Sequence, residues 1–261
     1  MSAPTFTLTE YGSPRRPPLL FIRGLPGTVG APHGVERYLE RRLLRGATRE
    51  RHVFAVGRPS VVSAAVTMEA LAEEYSALIS ERFGGHVTLM GISTGASVAL
   101  ELAAAHPERV DALVIVAGAA TLSQLGRDVQ RRYADLLVDQ DRSAATELAF
   151  ATLSLKRFHH VGRVLSRFGS LPTDSESLAA LVRAEDTYNV LERVQQITAP
   201  TLILSGGRDL FYPVDIAKDT AGRMSNSRTI VYSRSSHAAI SLHPRLGRDV
   251  ASFLRSVGPR A

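Results

Sequence analysis

The pentapeptide Gly-Ile-Ser-Thr-Gly at residues 91–95 constrains this chain more than any other feature. An apolar run at 87–90, which predicts a buried strand, leads into it, and an Ala/Leu-rich run at about 96–105, which predicts a helix, follows it. Gly-x-Ser-x-Gly between a strand and a helix is typical of a nucleophile elbow. Such a turn strains the backbone of the serine and leaves no room for side chains two residues away, so both outer positions need glycine. The helix start would bring a backbone N–H and a positive dipole end beside the Ser93 hydroxyl.

Composition limits the class of protein. The chain has 261 residues, of which 44% are hydrophobic and 21% are charged, as expected for a globular protein with a substantial core. It contains no cysteine, which excludes disulfides, zinc thiolates and a cysteine nucleophile. We find neither a signal-peptide pattern nor a run approaching the roughly 20 apolar residues of a membrane helix. We therefore expect a cytoplasmic protein without a membrane partner.

The basic charge of the chain does not predict a nucleic-acid partner. The net charge is +6, and all but two of the 31 basic residues are arginine. These arginines are scattered and interleaved with acidic residues, without the aromatic interleaving of nucleic-acid motifs. No His-Glu-x-x-His sequence and no carboxylate cluster has the spacing of metal ligands, so no metal site is predicted.

Alternating strand and helix patterns predict an α/β fold. Apolar or alternating runs indicate strands at 5–9, 19–22, 52–56, 87–90, 110–116, 201–205 and 228–232. Helical spacing occupies most of the intervening chain and residues 243–257. Such alternation indicates a mostly parallel central sheet with helices on both faces. Residues 121–196 contain no strand pattern and are helical throughout, interrupted at Pro172, so they read as an insertion between two strands.

Three side chains that follow predicted strands are candidates for nucleophilic catalysis. A serine hydroxyl such as that of Ser93 needs a base to take its proton, and the base needs a carboxylate to orient it. His237 follows the last predicted strand, and Asp209 follows the strand before it. The carboxyl ends of parallel strands meet at one edge of a sheet, so all three should converge. Residues 117–120, an alternative place for the carboxylate, contain no acid.

These motifs together resemble the α/β-hydrolase superfamily over nearly the whole chain. The resemblance rests on the pentapeptide at 91–95, on Ala-Pro-Thr-Leu-Ile-Leu-Ser-Gly-Gly-Arg-Asp at 199–209, and on Ser236-His237, in that order. It implies a hydrolase core at 1–120 and 197–261, a helical cap at 121–196, and no cofactor. The Ser–Asp–His order is the one expected for this family.

The resemblance also implies an oxyanion loop at residues 23–27. By position, the backbone N–H groups of Leu25 and Thr94 would hold the oxyanion, which does not depend on side-chain identity. The family typically has histidine where this chain has Arg23. Arg23 could bind a substrate carboxylate, or it could form a structural salt bridge or face solvent. His33, in the loop that follows, is a further candidate for the substrate pocket.

The favoured hypothesis is a serine hydrolase that acts on a small-molecule carboxylic ester through an acyl-enzyme. The same three residues would also serve thioesters, lactones, amides, C–C bonds or cofactor-free, haloperoxidase-like perhydrolysis, so these stay open. Two hypotheses lie outside hydrolysis: a biosynthetic lyase or cyclase, and a catalytically silent protein that binds a ligand.

A basic helix face in the predicted cap suggests a further partner. Helical spacing over residues 155–168 puts four cationic or titratable side chains on one face: Lys156, His160, Arg163 and Arg167. This face could simply be solvated. Alternatively, it could guide an anionic substrate or an acidic carrier protein toward the site.

Overall fold

The centre of the molecule is one mixed sheet. The computed structural model describes residues 6–25, 30–57, 59, 62–154 and 174–258. In these ranges seven strands pair in the order β1-β3-β2-β4-β5-β6-β7. They are β1 (Leu8–Tyr11), β2 (Pro18–Ile22), β3 (His52–Val56), β4 (Val87–Ile92), β5 (Val110–Val116), β6 (Thr201–Gly206) and β7 (Ser227–Tyr232). Only the edge strand β1 is antiparallel to its neighbour, so the predicted mostly parallel sheet is confirmed.

Helices cover both faces of this sheet, as predicted. The described α-helices are α1 (Gly34–Leu44), α2 (Met68–Phe83), α3 (Thr94–Ala105), α4 (Gln124–Val138), α5 (Ala144–Thr152), α6 (Ser175–Asp186), α7 (Val214–Gly222) and α8 (Leu246–Val257). One buried layer contains side chains of α2, α3 and α7 together with those of α4 and α6. The layer on the other face contains side chains of α1 and α8. The inner strands are therefore buried on both sides, which explains their near-continuous apolar sequences.

The helix and strand ends differ from the predicted ones mainly at the turns. Strand β4 continues to Ile92 and helix α3 begins at Thr94, so Ser93 alone connects them. The last helix begins at Leu246 because the chain first forms a short 3-10 helix, Ala238–Leu242, directly after His237. The first difference shortens the connection after β4, and the second lengthens the connection between β7 and the last helix.

The described part of the segment between β5 and β6 contains helices joined by loops, with one isolated bridge between Thr121 and Asn189. It contains α4, α5 and α6, and α4 packs against α6. The basic face predicted over residues 155–168 lies outside the described residues, as does Pro172. The division into a core and a cap with the stated boundaries stays a prediction. Within the described ranges, no helix combines the length and apolarity needed to cross a bilayer.

Candidate active site

The turn at Ser93 has the strained geometry that its sequence predicts. Ser93 has φ 54° and ψ −127°, in the half of backbone space that residues other than glycine rarely adopt. Its own N–H donates to the carbonyl of Val116 at 3.0 Å, which ties the turn to strand β5. A Cβ atom at Gly91 would collide with the backbone of Gly95, and one at Gly95 would collide with the carbonyl of Ile22. Glycine is therefore required at both places.

The structure brings together the three side chains that the sequence singled out. Ser93 Oγ lies 2.9 Å from His237 Nε2, and His237 Nδ1 lies 2.9 Å from Asp209 Oδ2. An ionised carboxylate can only accept, so the proton of the neutral imidazole lies on Nδ1 and Nε2 is left to accept from the serine hydroxyl. This is the tautomer that a general base for Ser93 needs.

Asp209 is held by the backbone of its own loop. Its Oδ1 accepts hydrogen bonds from the N–H groups of Phe211, at 2.8 Å, and Tyr212, at 3.1 Å. The other oxygen, Oδ2, is thereby left to face His237. The Asp209 side chain is fully buried and that of His237 is 8% exposed, so water does not compete for their hydrogen bond. The Phe211 ring packs 4.8 Å from the imidazole and limits its rotation.

Ser93 and His237 open into a cavity of about 340 Å³. Most of the described wall is apolar, including Phe21, Leu25, Leu39, Leu43, Ile92, Ala117, Leu148 and Phe211. The polar lining includes Arg23, Glu36, Glu40, Thr94, Gln130, Thr152 and Ser241. A mostly apolar cleft of this size with a few polar groups is typical of a small-molecule site.

The candidate oxyanion loop packs directly against the turn at Ser93. A Cβ atom at Gly24 would lie 3.1 Å from the Ile92 carbonyl oxygen and 3.2 Å from the Ser93 Cβ, which is closer than ordinary van der Waals contact. Leu25 and Thr94 are both buried and both line the cavity. Residues 26–28 of the loop lie outside the described residues. The role of the Leu25 and Thr94 N–H groups as oxyanion donors stays a prediction, which this packing supports.

Arg23 forms a buried salt bridge. Its Nε donates to Glu40 Oε2 at 2.6 Å and its Nη2 donates to Glu40 Oε1 at 2.9 Å. Tyr11 donates to Oε1 of the same carboxylate at 2.8 Å, and burial, with Glu40, raises the pKa of this phenol to about 12. Of the two alternatives for Arg23, the structure therefore shows the salt bridge. Sequence reasoning missed Glu40, although helical spacing places this charged residue on the buried side of α1 with Leu43 and Leu44.

His33, by contrast, is not brought to the cavity. It is exposed at the start of α1, where its Nδ1 lies 3.3 Å from the carbonyl of Ala31. The described lining does not include it. The reason is geometric: helix α1 begins directly after His33 and directs later residues, including Leu39 and Leu43, toward the cavity instead.

A buried carboxylate behind Ser93 was also missed. Glu185 of α6 is fully buried and accepts hydrogen bonds from four side chains, which belong to Thr94, Ser97, Gln130 and Tyr212. Burial and the nearby Glu185 raise the pKa of Tyr212 well above its usual value, so this phenol remains a donor. A signal existed: Glu185 continues the buried spacing of Leu178, Leu181 and Val182, where a charge is unexpected.

The described residues contain no group of three or more acidic or histidine side chains that could hold a metal ion.

A sequence model of the alpha/beta hydrolase fold matches residues 17–244. The chain belongs to the alpha/beta hydrolase fold family. The seven-stranded, mostly parallel sheet with helices on both faces agrees with this fold.

The chain is similar to two groups of proteins, one named as methyl ester esterases and the other as oxononadienedioate hydrolases. The chain is 28% identical over 178 residues to the pimeloyl-[acyl-carrier protein] methyl ester esterase of Neisseria meningitidis serogroup B. This alignment covers 63% of this chain and 67% of that protein. The chain is 30% identical over 189 residues to 2-hydroxy-6-oxononadienedioate/2-hydroxy-6-oxononatrienedioate hydrolase 2 of Pseudomonas putida. This alignment covers 65% of this chain and 63% of that protein. The matches thus span about two thirds of these relatives.

Solved structures of the family share the whole architecture. The enol-lactonase from Burkholderia xenovorans superposes with a TM-score of 0.78 at 17% identity, over 96% of both chains. A thermophilic esterase from Thermogutta terrifontis gives a TM-score of 0.75 at 20% identity, over 97% of this chain and 94% of that one. At such identities the likeness concerns the fold alone.

Proposed function

We propose that this chain hydrolyses carboxylic esters, with Ser93 as the nucleophile. The observation that carries the proposal is the continuous hydrogen-bonded path from Ser93 Oγ through the His237 imidazole to Asp209, at the floor of an apolar cavity. A hydroxyl hydrogen-bonded to a correctly protonated imidazole is the arrangement that nucleophilic acyl transfer needs. The esterases and hydrolases among its relatives support the same reaction type.

In the acylation step, His237 Nε2 takes the proton from Ser93 Oγ as this oxygen attacks the acyl carbon. The carbonyl electrons move onto the carbonyl oxygen, and the N–H groups of Leu25 and Thr94 would stabilise this oxyanion. Collapse of the intermediate breaks the acyl–oxygen bond, and the imidazolium returns its proton to the leaving alcohol. Asp209 stabilises the imidazolium throughout.

Deacylation repeats the sequence with water. His237 takes a proton from water, the hydroxide attacks the acyl-enzyme, and the second tetrahedral intermediate expels Ser93 Oγ. The imidazolium protonates this oxygen, and the acid leaves.

The mostly apolar cavity wall, with Arg23 neutralised by Glu40, supports an ester of small or medium size with an apolar acyl or alcohol part.

Labelling with a fluorophosphonate probe tests the proposal. We expect wild-type protein to be labelled once, at Ser93, and Ser93→Ala to be unlabelled and inactive on p-nitrophenyl esters of increasing chain length. A parallel reaction in ¹⁸O-water should place solvent oxygen in the acid product. Labelling without hydrolysis would favour a lyase or cyclase, and absence of labelling would favour a silent ligand-binding protein.

A carrier-bound substrate is a second candidate, since several relatives are named as esterases of an acyl-carrier-protein ester. The basic residues of the 155–168 segment, described above from sequence alone, would then meet the acidic carrier. Charge reversal of Arg163 and Arg167 to Glu should raise KM for a carrier-linked methyl ester and leave hydrolysis of p-nitrophenyl acetate unchanged. An unchanged KM for the carrier-linked ester would exclude this role.

A further inference from the structure

Glu185 occupies an unusual place for a charged side chain. It lies near the end of α6 in the helical insertion and is fully buried, and no described Lys, Arg or His forms an ion pair with it. Another buried glutamate, Glu101, instead pairs with Arg193 at 2.6 Å. A buried carboxylate without a cation is costly unless several hydrogen bonds compensate for its lost hydration. Its retention therefore needs an explanation from its contacts.

Four neutral donors supply those hydrogen bonds. Oε2 accepts from Thr94 Oγ1 at 2.7 Å and from Gln130 Nε2 at 2.8 Å. Oε1 accepts from Ser97 Oγ at 2.8 Å and from the Tyr212 hydroxyl at 2.7 Å. All four donor–acceptor distances are short, so each hydrogen bond fixes the side chain that makes it.

The donors come from the segments that carry the candidate catalytic residues. Thr94 directly follows Ser93, and Ser97 lies one turn further along α3. Tyr212 belongs to the loop of Asp209: its backbone N–H holds Asp209 Oδ1, while its hydroxyl reaches Glu185. The carboxylate thus contacts both the nucleophile turn and the acid loop. The Ser97 and Tyr212 hydroxyls, 115 residues apart in the chain, also lie 2.8 Å from each other, so Glu185 completes a cluster that joins the two segments.

We infer that Glu185 is a positioning residue for the reaction proposed above, on which this inference rests. By holding the Thr94 side chain, it fixes the direction of the Thr94 backbone N–H toward the developing oxyanion. By holding Tyr212, it fixes the loop that orients His237 through Asp209. Glu185 does not line the cavity, so it acts through these residues and not on the substrate.

Replacement of Glu185 by Gln tests this role, because the amide keeps the shape and replaces one acceptor oxygen with a donor NH₂ group. Active sites are titrated with the fluorophosphonate, and kcat is expressed per titrated site. We expect kcat to fall by about 10- to 100-fold, which at most approaches the loss caused by removal of a whole oxyanion donor. KM should change by less than about threefold. The Ki of a trifluoromethyl ketone, whose adduct places an oxyanion in the same hole, should rise as much as kcat/KM falls.

Thr94 variants separate positioning from folding. Thr94→Val should reproduce the loss of Glu185→Gln, and the double variant should be little worse than Thr94→Val. Thr94→Ser keeps the hydroxyl that bonds to Glu185 and should therefore lower kcat per site less than Thr94→Val does. The matched control is Glu101→Gln, which alters a buried glutamate on α3 that faces Arg193. It should reduce stability and leave kcat per site unchanged.

Two results would decide against the inference, and a third would remove the proposed function on which it rests. If Glu185→Gln reduces the number of titratable sites but keeps kcat per site within twofold, its role is structural only. If this variant does not fold, equal kcat values for Thr94→Val and Thr94→Ser overturn the inference independently. A wild-type protein that is not labelled at Ser93 would remove the proposed function itself, which is a distinct outcome.

Discussion

Arg23 and Glu40 form a two-point ion pair in the cavity wall, with their side chains only 4% and 8% exposed. The pair joins the loop after β2 to the inner face of α1, and Tyr11 of β1 adds a third hydrogen bond to the same carboxylate. The cation beside the candidate nucleophile is thus already neutralised within the protein. The stability of the folded protein depends on both partners, because either one alone would be a buried, uncompensated charge.

Removal of one partner should therefore destabilise the fold strongly. We expect Glu40→Leu to lower the free energy of unfolding by about 3–5 kcal/mol, measured by urea denaturation. The double variant Arg23→Met/Glu40→Leu removes both charges and should recover a large part of this loss. A loss below about 1 kcal/mol for Glu40→Leu would show that water reaches the guanidinium and replaces the carboxylate.

Asp209→Asn should abolish most activity through the imidazole tautomer. The amide oxygen would take the place of Oδ1, because two N–H groups point there, and the amide NH₂ would then face His237 Nδ1. That nitrogen must then accept, so the proton moves to Nε2 and the base is lost. We expect kcat to fall by about 10³- to 10⁴-fold. KM should change little, since Asp209 is not part of the cavity lining, and a loss below tenfold would contradict this assignment.

Glu74 should make stability depend on pH in the acidic range. Burial raises the pKa of this carboxyl above its usual 4.5, and its Oε2 has no hydrogen-bond partner among the described residues. The folded state therefore binds the proton more tightly than the unfolded state does. This contribution is fully present below pH 4.5 and is lost as the pH rises through the folded-state pKa. We expect Glu74→Gln to be more stable than wild type at pH 7 by no more than about 0.5 kcal/mol, because solvent screens this half-buried carboxyl.

The stability gain of Glu74→Gln should vanish below about pH 4, where both side chains are neutral. Urea denaturation at pH 7 and at the acidic limit measures it. A gain of the same size at both pH values would mean that the charge of Glu74 is not its cause.

Two glycine replacements should have opposite effects. Gly91→Ala places a Cβ against the backbone of Gly95 and Ala96, so the turn at Ser93 must shift, and we expect soluble protein to be inactive or unfolded. Gly222, at the end of α7, has open space around its Cα and no positive φ. Gly222→Ala should raise the free energy of unfolding by about 0.4–1 kcal/mol and leave activity unchanged. An active Gly91→Ala variant would contradict the steric argument.

The sequence by itself determined the features that depend on local pattern. Apolar runs followed by glycine specified the parallel strands, and the spacing of Gly91, Ser93 and Gly95 specified the strained turn, because only glycine fits on either side of it. The positions of Asp209 and His237 after consecutive strands were sufficient to place them at one sheet edge, since parallel strands share an orientation.

Only the tertiary structure decided the partners of buried charges. Glu40 neutralises Arg23 from the inner side of α1, and Glu185 reaches Thr94 across 91 residues of chain. Nearness in sequence makes His33 a candidate for the pocket, yet the start of α1 leaves it in solvent. Helical spacing shows that such a charge is buried, but its partner depends on how distant segments pack, and no local pattern encodes that packing.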